Sequence, residues 1–134
     1  MYEVIIIGAG PAGLQASMTL SRYRPRHLVI SIPKLYRNSK ISEMHGFLTG
    51  DGTSPSGFIK QAREQLNEYQ LATFVDGRVV STLRVDQVFE VKLENGTEYT
   101  GRKLIIATGL MGFLLPINGA LFVYTLLTSG FVEL

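Results

Sequence analysis

The chain opens on an unbroken apolar run. Residues 2–7, Tyr-Glu-Val-Ile-Ile-Ile, place β-branched side chains on successive positions, as a strand buried on both faces requires. Gly8-Ala9-Gly10-Pro11-Ala12-Gly13 follow at once, and residues 14–23 then continue as an amphipathic stretch. The pattern predicts strand, glycine turn and helix, with a second strand at residues 27–30. Residues 36–53 are polar, glycine-rich and without period, so they read as a long surface loop. Ser54-Pro55 marks a helix start, a hydroxyl cap followed by a residue whose missing N–H is not needed there. Phe58, Ile59, Ala62, Leu66 and Tyr69 then recur on one helical face.

From residue 72 the period changes. Residues 74–83 are rich in Val and Thr, residues 88–93 alternate with period two, and Glu94-Asn95-Gly96-Thr97 is a hairpin turn signal before a further strand at 98–100. This predicts an antiparallel meander over residues 74–99, inserted in a parallel α/β scaffold. Lys103-Leu104-Ile105-Ile106-Ala107 reads as a separate, fully buried strand that Thr108-Gly109 terminates. Residues 104–132 carry no charge. That length raises a membrane span, but Gly112, Pro116, Asn118, Gly119, Thr128, Ser129 and Gly130 interrupt any single apolar helix. The sequence favours a buried segment.

Composition narrows the function classes. With 134 residues, 46% hydrophobic and 18% charged, the chain has the material of one globular domain. A net charge of +2, with Lys and Arg scattered, gives no electrostatic footprint for nucleic acid. There is no cysteine, hence no disulfide framework, thiolate metal site or redox thiol pair within these residues. His27 and His45 stand too far apart for a metal motif, and His27, opening a strand, reads as structural. No charged and apolar leader precedes the first strand, so the expected compartment is the cytoplasm. Ser42, His45 and Asp51 are hydrolase residue types without a nucleophile elbow, which excludes a triad reading.

The glycine turn carries the chemistry. Gly8, Gly10 and Gly13 have GxGxxG spacing between strand and helix: the first permits the turn, the second lets a pyrophosphate approach the backbone, and the third lets helix pack on strand. The helix that follows offers free N–H groups and a positive dipole end to a diphosphate. The dinucleotide itself is not named by this pattern. An acid about 20 residues after the glycines normally grips the adenosine ribose, whereas the second strand here runs into Ser31-Ile32-Pro33-Lys34. Ser31 offers a ribose hydroxyl one hydrogen bond where a carboxylate accepts two. Lys34 and Arg37 favour a phosphate instead. FAD, NAD and NADP all stay open on the residues alone.

Three stretches together resemble a known family. They are Val4 to Leu14 with the glycines, Tyr36-Arg37-Asn38 with Met44-His45-Gly46-Phe47-Leu48, and Ile105-Ile106-Ala107-Thr108-Gly109-Leu110. The chain resembles the thioredoxin reductase-like flavoproteins of the pyridine nucleotide-disulfide oxidoreductase superfamily, over residues 2 to about 110. The fungal and bacterial branch whose fungal members serve secondary metabolism, as in dithiol oxidases of the gliotoxin type, is the nearest in pattern. The resemblance implies a Rossmann-type FAD-binding fold and FAD as cofactor. The meander is what such FAD domains insert where an NAD domain carries a helix.

Carried over by position, the resemblance implies that Gly8, Gly10, Pro11, Ala12 and Gly13 hold the FAD diphosphate, with Ser31 toward the ribose. Arg37 and Asn38 would lie along the cofactor, and His45 beside the flavin as a candidate proton donor. Val79 or Val80 would offer backbone groups to the adenine, and Ala107, Thr108 and Gly109 would close over the cofactor. In the family NADPH reduces FAD, and FAD exchanges electrons with a disulfide or a small dithiol; homodimers are expected.

Two departures qualify this. Leu115-Pro116-Ile117-Asn118-Gly119 resembles the crossover into the NADPH domain, and on the Cys-x-x-Cys-His-Gly pattern Thr125 and Thr128 fall at the cysteines and Ser129 at the histidine. A threonine hydroxyl cannot exchange electrons as a thiolate pair does. Nor is there a second glycine motif for NADPH, or the C-terminal return segment that completes the family's FAD domain. The expected organisation is an incomplete FAD-binding domain at residues 1–110, then a crossover and truncated start of the NADPH domain at 111–134. The expected function is that of the flavin-dependent family. The alternative readings are a non-catalytic nucleotide-binding remnant, an NAD(P)-binding protein of another class, which the meander argues against, and a membrane-attached protein.

Overall fold

The computed structural model describes residues 1–33 and 41–109, together with the backbone of residues 111–114 and 123–126. Strand β1 (Tyr2–Ile7), helix α1 (Pro11–Tyr23) and strand β2 (His27–Ser31) form the first βαβ unit, as the apolar pattern predicts. β1 and β2 run parallel with Val4 opposite His27 and Ile7 opposite Ile30. Helix α2 (Pro55–Tyr69) starts where the Ser-Pro pair places it: the Ser54 hydroxyl accepts the Gly57 N–H at 3.1 Å, and Pro55 is the first helical residue. Leu66 is fully buried and Phe58, Ile59 and Ala62 are half-buried, but Tyr69 is exposed. It sits at the last turn, past the edge of the sheet-facing stripe.

Residues 41–53, ahead of α2, have internal order. Residues 41–53 are tied across the base, with Met44 N–H donating to the Thr53 carbonyl at 2.9 Å and Gly52 N–H to the Met44 carbonyl at 2.8 Å. The Phe47 ring meets Phe58 of α2 edge-on at 5.3 Å, docking the loop on the helix.

Three predictions about the strands are corrected. The Val/Thr-rich run at 74–83 is two strands, β3 (Ala72–Asp76) and β4 (Val79–Val85), parted at Gly77-Arg78. β3 pairs parallel with β2 and is the third strand of the Rossmann sheet. The meander therefore begins at Val79, with β4, β5 (Val88–Leu93) and the first half of β6 (Glu98–Ile106) antiparallel. Residues 98–100 and 103–106 are likewise one strand, not two: β6 pairs with β5 through Gly101 and with β1 from Gly101 onward. Nor is its second half fully buried. Leu104 and Ile105 are half-buried, Lys103 is exposed and Ile106 is 51% exposed, because neither described helix covers that side of β6.

The single six-stranded sheet has the order β3-β2-β1-β6-β5-β4. On its helical face Val4, Ile6 and Val29 pack with Ala16, Leu20, Phe74, Ile105 and Ala107. On the other face Ile5, Leu28 and Ile30 pack with Val91 and Leu93. β5 lies three places from β2 in the sheet order, so this contact requires the meander to curl back over the face that the helices leave open. The bend sits at Gly101, opposite Tyr2 on one side and Phe89 on the other. A Cβ there would stand 2.7 Å from Ile5 Cγ1, so the glycine lets β6 pass over the core. Further on, β7 (Met111–Leu114) and β8 (Val123–Leu126) pair antiparallel as a two-stranded sheet.

Candidate functional site

The site forms at the carboxyl ends of β1, β2 and β6. β1 lies between β2 on one side and β6 on the other, the topological switch point at which open α/β sheets take ligands. Gly8 leaves the sheet with φ +108°, its N–H donating to the Ile30 carbonyl at 2.7 Å. A Cβ on Gly8 would overlap the Ala107 carbonyl, and one on Gly13 would overlap the carbonyl of Gly8. Gly8, Gly13 and Ala107 are thus packed backbone on backbone, with Ala107 N–H donating to the Ile7 carbonyl at 2.8 Å. The two glycine-containing stretches that the sequence separates by almost a hundred residues meet here.

Gly10 differs from its neighbours. A Cβ built on it meets nothing within 4 Å, so this side of the turn is open. Gly10 is also the N-cap of α1 and has no side chain to close the helix end; Pro11 follows, and no acidic residue occupies the first turn. The first intrahelical bond runs from Leu14 N–H to the Gly10 carbonyl at 2.9 Å. Ahead of it the N–H groups of Ala12 and Gly13 remain as unspent donors at the positive end of the helix dipole. This donor set fits a diphosphate: directed N–H groups, no competing carboxylate, and room at Gly10 for the backbone to be approached. Thr108 and Gly109 continue from Ala107 on the exposed side, Gly109 with φ +69° and open space around it.

Ser31, which the resemblance assigns toward the ribose, has a partner that the sequence reading did not name. Ser31 ends β2, and its hydroxyl accepts a hydrogen bond from Arg63 Nη2 at 3.1 Å. Arg63 comes from α2, and its guanidinium lies over the Phe74 ring of β3, 4.9 Å from the centroid. Its Nε is buried with no hydrogen-bond partner. Sequence reasoning passed over Arg63, though the signal was there: it stands four residues after Ile59 and three before Leu66, a cation on the apolar stripe. Asp76 was also missed; it is exposed and opposite Ser31 in the β2–β3 register.

Val79 and Val80 lie close to this end of the sheet. Gly77 N–H donates to the Ser31 carbonyl at 2.8 Å, which anchors the start of the β4 segment beside β2. Val79 is half-buried against the core, and Val80 is 53% exposed at a register shift between Val79 and Ser81. A bulge of this kind leaves the extra residue's backbone groups outside the ladder. His45 is elsewhere in character: it is exposed in the 41–53 loop, with its ring nitrogens 3.7 Å from Glu43 and 3.6 Å from Asp51. Asp51 also accepts the Gly46 N–H at 2.7 Å. Among the described residues no hydrogen bond or ion pair joins His45 to the glycine turn. Arg37, Asn38, Thr128 and Ser129 lie outside the described residues; Thr125 is in β8, opposite Gly112.

Beneath α1, His27 is fully buried and structural, as its place at a strand start implies. Its Nδ1 donates to the Pro25 carbonyl at 2.9 Å, leaving Nε2 to accept the Ser17 hydroxyl at 2.7 Å. Burial pushes its pKa below the ordinary value, against the hydrogen bond to Pro25, which raises it.

Comparison with known proteins settles what kind of fold carries this turn. The family model of pyridine nucleotide-disulphide oxidoreductases matches residues 2–130. The chain belongs to that family. The family binds FAD, and thioredoxin reductases within it also use NADPH. A thioredoxin reductase of Gibberella zeae is 33% identical over 132 residues, covering 89% of this chain and 38% of its own length. The thioredoxin reductase tcpT of Claviceps purpurea is 34% identical over 122 residues, covering 89% and 38%. Among solved structures, an oxidoreductase from Agrobacterium tumefaciens superposes with a TM-score of 0.82 at 36% identity, covering 88% of this chain and 40% of its own. The chain thus spans 38% of the length of each of these two thioredoxin reductases and 40% of that of the solved oxidoreductase. The Rossmann-type FAD-binding fold expected from the sequence agrees with these neighbours, and so does the resemblance to thioredoxin reductases. Among the described residues no helix is long and apolar enough to cross a membrane.

Proposed function

We propose that this chain supplies the FAD-binding part of a thioredoxin reductase-like oxidoreductase, with the diphosphate lying across the Gly8–Gly13 turn. One observation carries the reading: Gly8, Gly13 and Ala107 interlock while Gly10, of the three motif glycines, is left open, in front of an uncapped helix start. In this reading Pro11 and Ala12 border the diphosphate and Thr108-Gly109 flank it. Ser31 faces the adenosine ribose, and the bulged backbone at Val79-Val80 serves the adenine. Arg37, Asn38 and His45 are assigned along the cofactor toward the flavin on the family resemblance alone. Bound FAD supplies reversible two-electron chemistry. The residues of this chain bind and orient it.

NADPH is the electron donor to the flavin, and the flavin exchanges electrons with a disulfide, which it reduces, or with a small dithiol, which it oxidises, of the kind handled in secondary metabolism. The 134 residues contain no cysteine, so any thiol chemistry belongs to the substrate or to another polypeptide segment. The same fact favours a second reading, in which the chain binds nucleotide without turnover. Residues 1–110 are assigned to the FAD domain and 111–134 to the crossover into an NADPH domain, and the protein is placed in the cytoplasm as a homodimer.

Titration with FAD, followed by quenching of flavin fluorescence, tests the binding claim. Saturable quenching reversed by excess ADP supports a site reading the adenosine diphosphate moiety. Quenching absent at every concentration would refute it. NADPH-dependent reduction of the bound flavin then separates the oxidoreductase from the binding-only reading.

A further inference from the structure

Dinucleotide folds usually hold the adenosine ribose with an acid at the end of the second strand, because a carboxylate accepts from both ribose hydroxyls. Here β2 ends on Ser31. Arg63 Nη2 already donates to its Oγ at 3.1 Å, which spends one of two lone pairs and leaves the hydroxyl its own hydrogen to give. At most one ribose hydroxyl finds an acceptor there. Asp76 stands beside it. β2 and β3 run parallel with Ser31 opposite Asp76, and the Gly77 N–H donates to the Ser31 carbonyl at 2.8 Å, tying the two strand ends together. Val29 and Phe74, two residues before each, both belong to the core on the helical face, so Ser31 and Asp76 lie on that face too. Asp76 is the one acid at the carboxyl ends of β1, β2, β3 and β6. It is exposed, and among the described residues its side chain makes no hydrogen bond or ion pair. The cation on that face does not neutralise it, since Arg63 is held by Ser31 and lies over the Phe74 ring.

We infer that Asp76 supplies, from β3, the carboxylate that β2 lacks, accepting hydrogen bonds from the 2′- and 3′-hydroxyls of the FAD adenosine ribose. Ser31, oriented by Arg63, donates its own hydrogen to one of the same two oxygens. This rests on the reading of the Gly8–Gly13 turn as a diphosphate cradle, and it names the residue that reads the far end of the ligand. The charge of Asp76 also sets specificity. A carboxylate accepts from a free hydroxyl and repels a 2′-phosphate, which suits FAD and disfavours an NADP-type ligand at this fold.

The test compares ADP with 2′,3′-dideoxy-ADP by calorimetry on the full 134-residue chain. Both probes carry the adenine and the diphosphate, and they differ only in the ribose hydroxyls. ADP should bind about tenfold tighter or more, the worth of hydrogen bonds to a charged acceptor. Asp76→Ala should bring that ratio down to about threefold or less, the share left to the neutral Ser31 contact. Asp76→Asn keeps the shape of the side chain, guards against a folding artefact in the alanine variant, and should give an intermediate ratio. Damage to the fold weakens both probes alike and does not move a ratio between them. A ratio kept in both variants would put the hydroxyls on another group and overturn the inference. Equal binding of the two probes by the parent chain would overturn it as well and leave the diphosphate cradle standing. Binding of neither probe would overturn the cradle itself, and this inference with it.

Discussion

A Cβ on Gly13 would fall inside the carbonyl group of Gly8, and the same atom would touch the Ala107 side chain at 3.5 Å. Helix α1 can approach β1 and β6 only because position 13 has no side chain. Gly13→Ala should therefore act on the fold: steric overlap with backbone cannot relax by a rotamer change, and the loss should exceed the about 1–3 kcal/mol usual for overpacking. Chemical denaturation of the variant against the parent measures it.

Gly10→Ala separates binding from folding. Gly10 has φ −75° and open space around its Cβ position, so alanine fits the backbone without strain. Stability should stay within about 0.5 kcal/mol. FAD affinity should fall by about tenfold or more, since a methyl group enters the space through which the diphosphate approaches the backbone. Parallel denaturation and FAD titration check both halves. Unchanged affinity would move the diphosphate elsewhere.

Gly101→Ala tests the bend. The added methyl would lie 2.7 Å from Ile5 Cγ1, and Ile5 is fully buried in the core between sheet and meander. A loss of about 1–3 kcal/mol is expected, together with faster hydrogen exchange in β5 and β6. FAD affinity should drop less than in Gly10→Ala.

His27 gives the fold an acid-sensitive element. Its pKa in the folded chain lies below its ordinary value of 6.5, because burial penalises the charged ring. Above 6.5 the ring is neutral folded and unfolded, and it contributes no pH dependence. As pH falls below 6.5 the unfolded chain gains a proton that the native ring resists, so stability declines toward the folded pKa, by at most about 1.4 kcal/mol per pH unit. Denaturation midpoints at pH 7.5, 6 and 5 (about one unit apart on the acid side) should show this decline, and His27→Gln should flatten it. Ser17→Ala, which leaves Nε2 without its donor, should cost about 1–3 kcal/mol at neutral pH.

The turn and both helix starts were legible in the sequence because their signals are local. Gly8 to Gly13, Ser54-Pro55 and the hairpin at Glu94 to Thr97 each prescribe a backbone conformation by residue type, and each is present. Strand pairing is not local. The run at 74–83 has one composition throughout, yet Ala72–Asp76 joins a parallel neighbour and Val79–Val85 an antiparallel one. Only tertiary position decides this. The fusion of residues 98–106 into one strand escaped for a related reason: Gly101 looks like a break, but it is the place where the strand changes partner. At the site, the glycines were readable by spacing. Arg63 could be picked out as a cation on the apolar stripe of α2, but its pairing with Ser31 could not, because the two are 32 residues apart and meet only through α2 packing on the sheet.

The central claim, that these residues form a flavin site, is tested most directly by the visible absorption spectrum of the purified chain, with any nucleotide released on heating identified by chromatography. The account predicts the bands of oxidised flavin, from the start or after incubation with FAD, and FAD as the released compound. A chain that stays colourless after that incubation would contradict it.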